Sequence, residues 1–202
     1  MSASSFASAS TRITAATVAA ATFLVGLVAA PASAAPVTAG CAAKSQPTLS
    51  LGKADRVQVE IPAAAGWHPV APPAGRSFTV GAIDSADGED GITVRIAYPK
   101  QPTDKLTAND LVTAFAARDS DTFTTVGRRS LAGPCGLPTV SISQRFTDIK
   151  TKRTAYGTAR YTLFQYGTTT VGVIVEVASY DQQRLADVER TILDRYGIRL
   201  PA

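Results

Sequence analysis

Apolar and polar residues alternate in short runs along most of the chain from Val57 onward. Val57, Val59 and Ile61 alternate with Gln58 and Glu60, which predicts a strand with one apolar and one polar face. Pro62 ends its ladder, and Gly66 lets the chain turn before Trp67, which is set down as an anchor against the sheet. The same period returns in Ile92, Val94, Ile96 and Tyr98, with Thr93, Arg95 and Ala97 on the opposite face. Together with Ser77–Ile83 this run predicts a hairpin. The intervening Asp84-Ser85-Ala86-Asp87-Gly88-Glu89-Asp90-Gly91 lacks the alternate acids and closing Glu of a calcium loop. Its Asp-Gly step is ordinary hairpin-turn chemistry, so it reads as a solvated turn.

The period then changes. Thr107-Ala108-Asn109-Asp110 has the spacing of a helix-opening capping box, and Leu111, Val112 and Phe115 form one apolar stripe. A helix is expected from Thr107 to about Arg118. Strand patterning resumes over Thr122–Leu131, which carries Arg128 and Arg129, and continues over Val140–Phe146 and Tyr156–Tyr166. Lys150, Lys152 and Arg153 fall at the turn between the last two. Val171–Ala178 differs from the other strands because it is apolar on both faces, which predicts a central strand covered on each side. Leu185, Val188, Ile192 and Tyr196 recur at helical spacing, predicting a closing helix that opens near Asp181 and stops at Gly197. His68-Pro69-Val70-Ala71-Pro72-Pro73 is expected to run extended over the surface. The sum is an α+β domain, an antiparallel sheet flanked by helices.

The N-terminal region is patterned differently. Residues 1–12 are small and polar and end in Arg12, and Ile13 to Ala30 is uncharged and apolar. Pro31 breaks the run, and Ala32-Ser33-Ala34 supplies small residues for a signal-peptidase site, so 1–34 reads as a cleaved secretion signal. The alternative is a retained membrane helix, since the apolar run is just long enough to span a bilayer. Residues 35–53 are rich in small and polar residues without periodicity and read as a flexible arm, leaving 54–202 as one α+β domain.

An export signal places Cys41 and Cys135 in an oxidising compartment, where an even count favours one disulfide tying the arm to the loop Gly133-Pro134-Cys135-Gly136. The competing reading is lipidation of Cys41. Thr38-Ala39-Gly40-Cys41 matches a bacterial lipobox at the two residues before the cysteine but has Thr where Leu or Val is usual, and it stands well beyond the apolar run. With the signal removed, only that modification would bring the chain to a membrane.

Charge and composition narrow the chemistry. The formal charge is +4; the first 34 residues hold one Arg and no acid, so the remainder carries 19 basic against 16 acidic side chains. That balance is too weak and scattered to imply nucleic acid. His68 is the single imidazole, and no Gly-x-Ser-x-Gly elbow supplies a serine partner. No set of ligands has metal-site spacing, and no glycine loop of the phosphate-cradling type follows a strand, so no cofactor is expected. A hydrolase using His68 or a pair of acids brought together by the fold remains the enzymatic alternative. What is left is surface: Trp67 and His68, Arg128 and Arg129, and Lys152 and Arg153 are the candidate residues for a ligand or partner, against the plainer reading of core aromatics and solvated turns.

Several of these stretches together resemble the LpqN-type secreted and lipid-anchored proteins of the actinobacterial envelope. The resemblance is carried by Val57–Trp67, the hairpin ending at Tyr98, the helix near Leu111–Phe115, the Leu131-Ala132-Gly133 turn into Val140–Phe146, Val171–Val177 and the closing helix. It covers about Val57 to Leu200 and departs from the lipoprotein members in the poor lipobox. It implies a PsbP-like α/β/α sandwich and a non-enzymatic envelope accessory that binds other proteins or lipidic ligands.

Overall fold

The computed structural model describes residues 35–53, 55–72, 78–99, 106–119, 123–148 and 151–201. The expected secretion signal, Ser77 and Lys150 lie outside them. In chain order the first strands are β1 (Ala35–Pro36), β2 (Thr48–Leu51), β3 (Gln58–Pro62), β4 (His68–Val70), β5 (Thr79–Asp84) and β6 (Asp90–Ala97). Helix α1 (Ala108–Asp119) follows, then β7 (Phe123–Ala132), β8 (Pro138–Thr147), β9 (Thr154–Tyr166), β10 (Thr169–Ser179), α2 (Gln182–Val188) and β11 (Gly197–Arg199).

The main sheet runs β4-β5-β6-β10-β9-β8-β7, antiparallel throughout, with β1 added in parallel beside the end of β9. β10 is central, as its two apolar faces require. Val173, Val175 and Val177 point into one core with α2, the π-helical turn Glu189–Leu193 and β3. Ile174 points the other way, into a second core built by α1 with Val140, Ile142, Tyr161 and Leu163. Helices therefore lie on both faces of the sheet. α1 opens on the reciprocal cap its sequence spells: Thr107 N donates to Asp110 Oδ2 at 2.7 Å, and Asp110 N donates to Thr107 Oγ1 at 3.2 Å.

Five expectations need correction. The opening strand β3 is not part of the main sheet; it is the middle of a three-stranded antiparallel sheet, β11-β3-β2, packed on the first core. Its polar face is covered too, because Ala43 N donates to Glu60 Oε2 at 3.3 Å and Arg199 pairs with Glu60 Oε1 at 2.6 Å. Residues 35–53 are not a free arm: they hold β1, β2, the buried Ala43 and the backbone pairing of Cys41 with Ile198. Pairing partners far along the chain recruit this segment, and its own composition gives no sign of them.

The closing helix is also shorter than its periodicity predicts. α2 starts as expected, with Asp181 accepting from Gln183 N and Arg184 N, but ends at Val188 and widens into the π-helical turn. Gly197 is not a helix stop. It opens β11, where a Cβ would stand 2.3 Å from Ala43 N and 2.5 Å from Cys41 O, so the glycine exists for close backbone approach. His68–Val70, expected as a surface strap, forms the edge strand β4 against β5.

Candidate functional site

The six predicted surface residues do not form one site. Trp67 and the exposed His68 lie at the β4 edge of the main sheet, whereas Arg128 and Arg129 are exposed on β7 at the opposite edge. Six inter-strand spacings, about 29 Å, separate those edges. Trp67 is half-buried against the first core, and Arg128 donates to Asn109 Oδ1 at the start of α1. Lys152 and Arg153 sit at the β8–β9 turn, at the same end of the sheet as the β5–β6 turn.

There the charges have structural partners. Arg153 makes a bidentate pair with Glu89 (2.8 and 2.7 Å) and stacks on Tyr180, 4.0 Å from the ring centroid. Arg184 at the start of α2 bridges Asp87, at 2.8 Å, and Asp90 of the same acidic turn. The turn is therefore not merely solvated. It is an ion-paired clamp that fastens the β5–β6 turn to α2 and to the β8–β9 turn. Hydrogen bonds from Arg184, Ser85 and the Glu89 backbone hold the Asp87 carboxyl well below its usual range. Arg153 does the same for Glu89, and the α2 backbone N–H groups do so for Asp181. Among the described residues no three His, Cys, Asp or Glu side chains are grouped to hold a metal.

A concave site does exist, and it is built around the two cysteines. Cys41 and Cys135 form a disulfide with sulfurs 2.05 Å apart, spanning 94 positions of sequence. The bridge joins the segment before β2 to the turn Pro134–Gly136 between β7 and β8. In that turn Cys135 has φ 56° and Gly136 φ 73°, and Gly133 has no room for a Cβ, which would meet Thr139 Oγ1 at 2.0 Å. Behind the bridge lies a hollow of about 440 Å³, lined by Lys44, Leu131, Pro134, Arg160, Asp194 and Tyr196 among others. That size falls in the range of small-molecule sites.

Tyr196, in the lining, is held from behind by a chain of buried hydroxyls. Tyr196 OH pairs with Thr162 Oγ1 (3.1 Å), Thr162 with Thr139 Oγ1 (2.8 Å), and Thr139 donates to the Leu137 carbonyl (3.1 Å). Burial pushes the Tyr196 phenol up to about 12, so it stays protonated. Beside it Arg160, 5% exposed, donates through Nη1 to the Leu193 carbonyl and through Nη2 to Asp194 Oδ1. Among the described residues its Nε meets no acceptor.

The surface inventory read from sequence missed Arg160, because β9 looked like one more half-buried strand. The trace it left is a charged residue flanked by Thr158, Ala159, Tyr161 and Thr162. A similar trace marks Glu176 between Val175 and Val177, and the structure pairs Glu176 with the buried Arg95 at 3.0 Å. A charge inside an otherwise apolar strand has to find a partner on the covered face.

The fold and the bridge define a class: a disulfide-stapled, mostly antiparallel α+β domain with a hollow at the bridge. Among the described residues no helix is long and apolar enough to cross a membrane. No protein-family model and no curated protein sequence matches the chain. Among solved structures the fold is similar to LpqN, involved in cell envelope biogenesis of Mycobacterium tuberculosis. The match has a TM-score of 0.56 at 9% identity and covers 76% of this chain and 91% of that one. PA94 of Pseudomonas aeruginosa, a protein of unknown function, aligns over 71% of this chain and 89% of that one at 11% identity, with a TM-score of 0.36 too low to support an argument.

Proposed function

We propose that the chain is an exported, LpqN-type envelope protein with a PsbP-like sandwich, which works by binding rather than by bond chemistry, at the hollow behind the disulfide. The Cys41–Cys135 bridge carries this reading, because a persistent disulfide belongs to an oxidising compartment and here it also shapes one wall of the hollow. The similarity to an envelope protein supports the same compartment. The bridge occupies the Cys41 sulfur that a lipid anchor would need, which favours a soluble exported form over the lipoprotein alternative. The lining of the hollow offers an arginine, a lysine and a neutral tyrosine beside apolar wall, a set suited to holding a ligand. His68 stands outside the hollow at an exposed sheet edge, which disfavours a hydrolase built on it.

Fractionation, intact mass and activity profiling test the reading together. The chain is expected outside the cytoplasm, without residues 1–34, with a mass two hydrogens below that of its reduced form and no diacylglycerol. Serine- and glycoside-directed probes are expected to leave it unlabelled. Stoichiometric labelling, or a lipid adduct on Cys41, would overturn it.

A further inference from the structure

We propose that the hollow behind the Cys41–Cys135 bridge receives the anionic group, carboxylate or phosphate, of a small ligand, with Arg160 as its anchor and Lys44 at its rim. This rests on the reading of the hollow as a binding site and adds the charge and chemistry of what enters it.

Burying a guanidinium is costly. Arginine carries five N–H donors and cannot shed its proton, so a buried one is stable only where those donors meet acceptors. Arg160 is 5% exposed, and among the described residues two acceptors meet it: the Leu193 carbonyl and Asp194. Its Nε is buried without an acceptor. The one carboxylate it has is 53% exposed, so that pair is open to water and to screening by salt. Each Nη carries a second N–H beyond the one it commits, and the side chain lines the hollow, so a second oxyanion there meets a cation that is held in place.

The rest of the lining agrees. Tyr196 is a neutral phenol whose OH bonds back to the buried Thr162, so it adds no charge. Lys44 and Arg160 face a single carboxylate, Asp194, which leaves the hollow one positive charge in excess. Leu131, Pro134 and Leu193 supply apolar wall beside these cations, so the fitting ligand has an apolar portion next to its anionic group. The fork geometry of arginine suits both carboxylate and phosphate.

The test is a titration of the ¹⁵N-labelled exported chain, disulfide intact and ionic strength held constant, with inorganic phosphate, octanoate and octanol. A saturable shift of the Arg160 Nε–H resonance with phosphate or octanoate is expected, and whichever of the two binds more tightly identifies a phosphoester or a carboxylate ligand. Replacing Arg160 risks the fold, so the variants are at its neighbours. Lys44→Glu is expected to weaken the anion by roughly two- to fivefold, and Asp194→Asn, which removes the competing carboxylate, to strengthen it by a similar factor. Octanol binding without either anion would overturn the proposal while leaving the binding-protein reading intact. An absence of any shift, or affinities indifferent to both substitutions, would overturn it as well.

Discussion

Single side chains in this protein depart from their sequence roles mostly where charge is concerned. Asp87, Glu89 and Asp90 looked like turn residues because Asp-Gly between strands is sufficient reason for acids there. The structure gives them Arg184 and Arg153 as partners, from positions 97 and 64 residues away. No local pattern announces such pairs. Their effect on stability has a definite sign. The carboxyls of Asp87, Glu89 and Asp181 titrate lower in the folded chain than their ordinary values of 3.8, 4.5 and 3.8. The unfolded chain thus takes up protons first as pH falls, and the stabilisation present above those values is lost as pH drops through the folded ones. Asp87 and Asp181 are exposed and Glu89 is partly so, so the effect is screened and is expected to shrink in high salt. Acid titrations followed by circular dichroism are expected to show stability declining below about pH 4.5, less steeply in Asp87→Asn than in the native chain. Identical acid profiles would mean that the clamp contributes nothing.

Secondary-structure elements were legible in proportion to how strictly they alternate. β6, β9 and β10 and the cap of α1 are where periodicity and the Thr107–Asp110 spacing put them. β2 was not seen, since Thr48-Leu49-Ser50-Leu51 is too short to distinguish itself from an arm and forms by pairing with β3. The helix after Asp181 was overextended. Ile192 and Tyr196 do face the core at helical spacing, but the π-helical turn delivers them there, and the chain is extended again by Gly197. Gly197→Ala separates the two roles. An ordinary helix-ending glycine sits in the left-handed region, where alanine costs about 1–2 kcal/mol. Here the new Cβ would meet backbone atoms of Ala42 and Ala43 at 2.6 and 2.3 Å, which no side-chain rotation relieves. A loss of about 3 kcal/mol is expected in urea unfolding, with the β11–β3–β2 sheet the first part to lose hydrogen-exchange protection.

For the molecule as a whole, the disulfide is the long-range constraint that closes the fold. It joins residues 94 apart, and the segment it anchors pairs with both β11 and β3. Replacing both cysteines by alanine is expected to cost about 2–5 kcal/mol in denaturant unfolding and to weaken any ligand of the hollow, because one wall would no longer be held. Unchanged stability would show that the bridge is incidental. The likelihood of this bridge could be read from the chain, since an even cysteine count behind an export-type leader requires only counting and a compartment. So could the central strand, because a run apolar on both faces can satisfy both only when covered on both. The second small sheet around β3, the buried Arg160 and the hollow beside it could not. They arise where backbone from positions 41–43, 133–137 and 193–198 converges, and proximity between distant segments has no trace in the periodicity of any one of them.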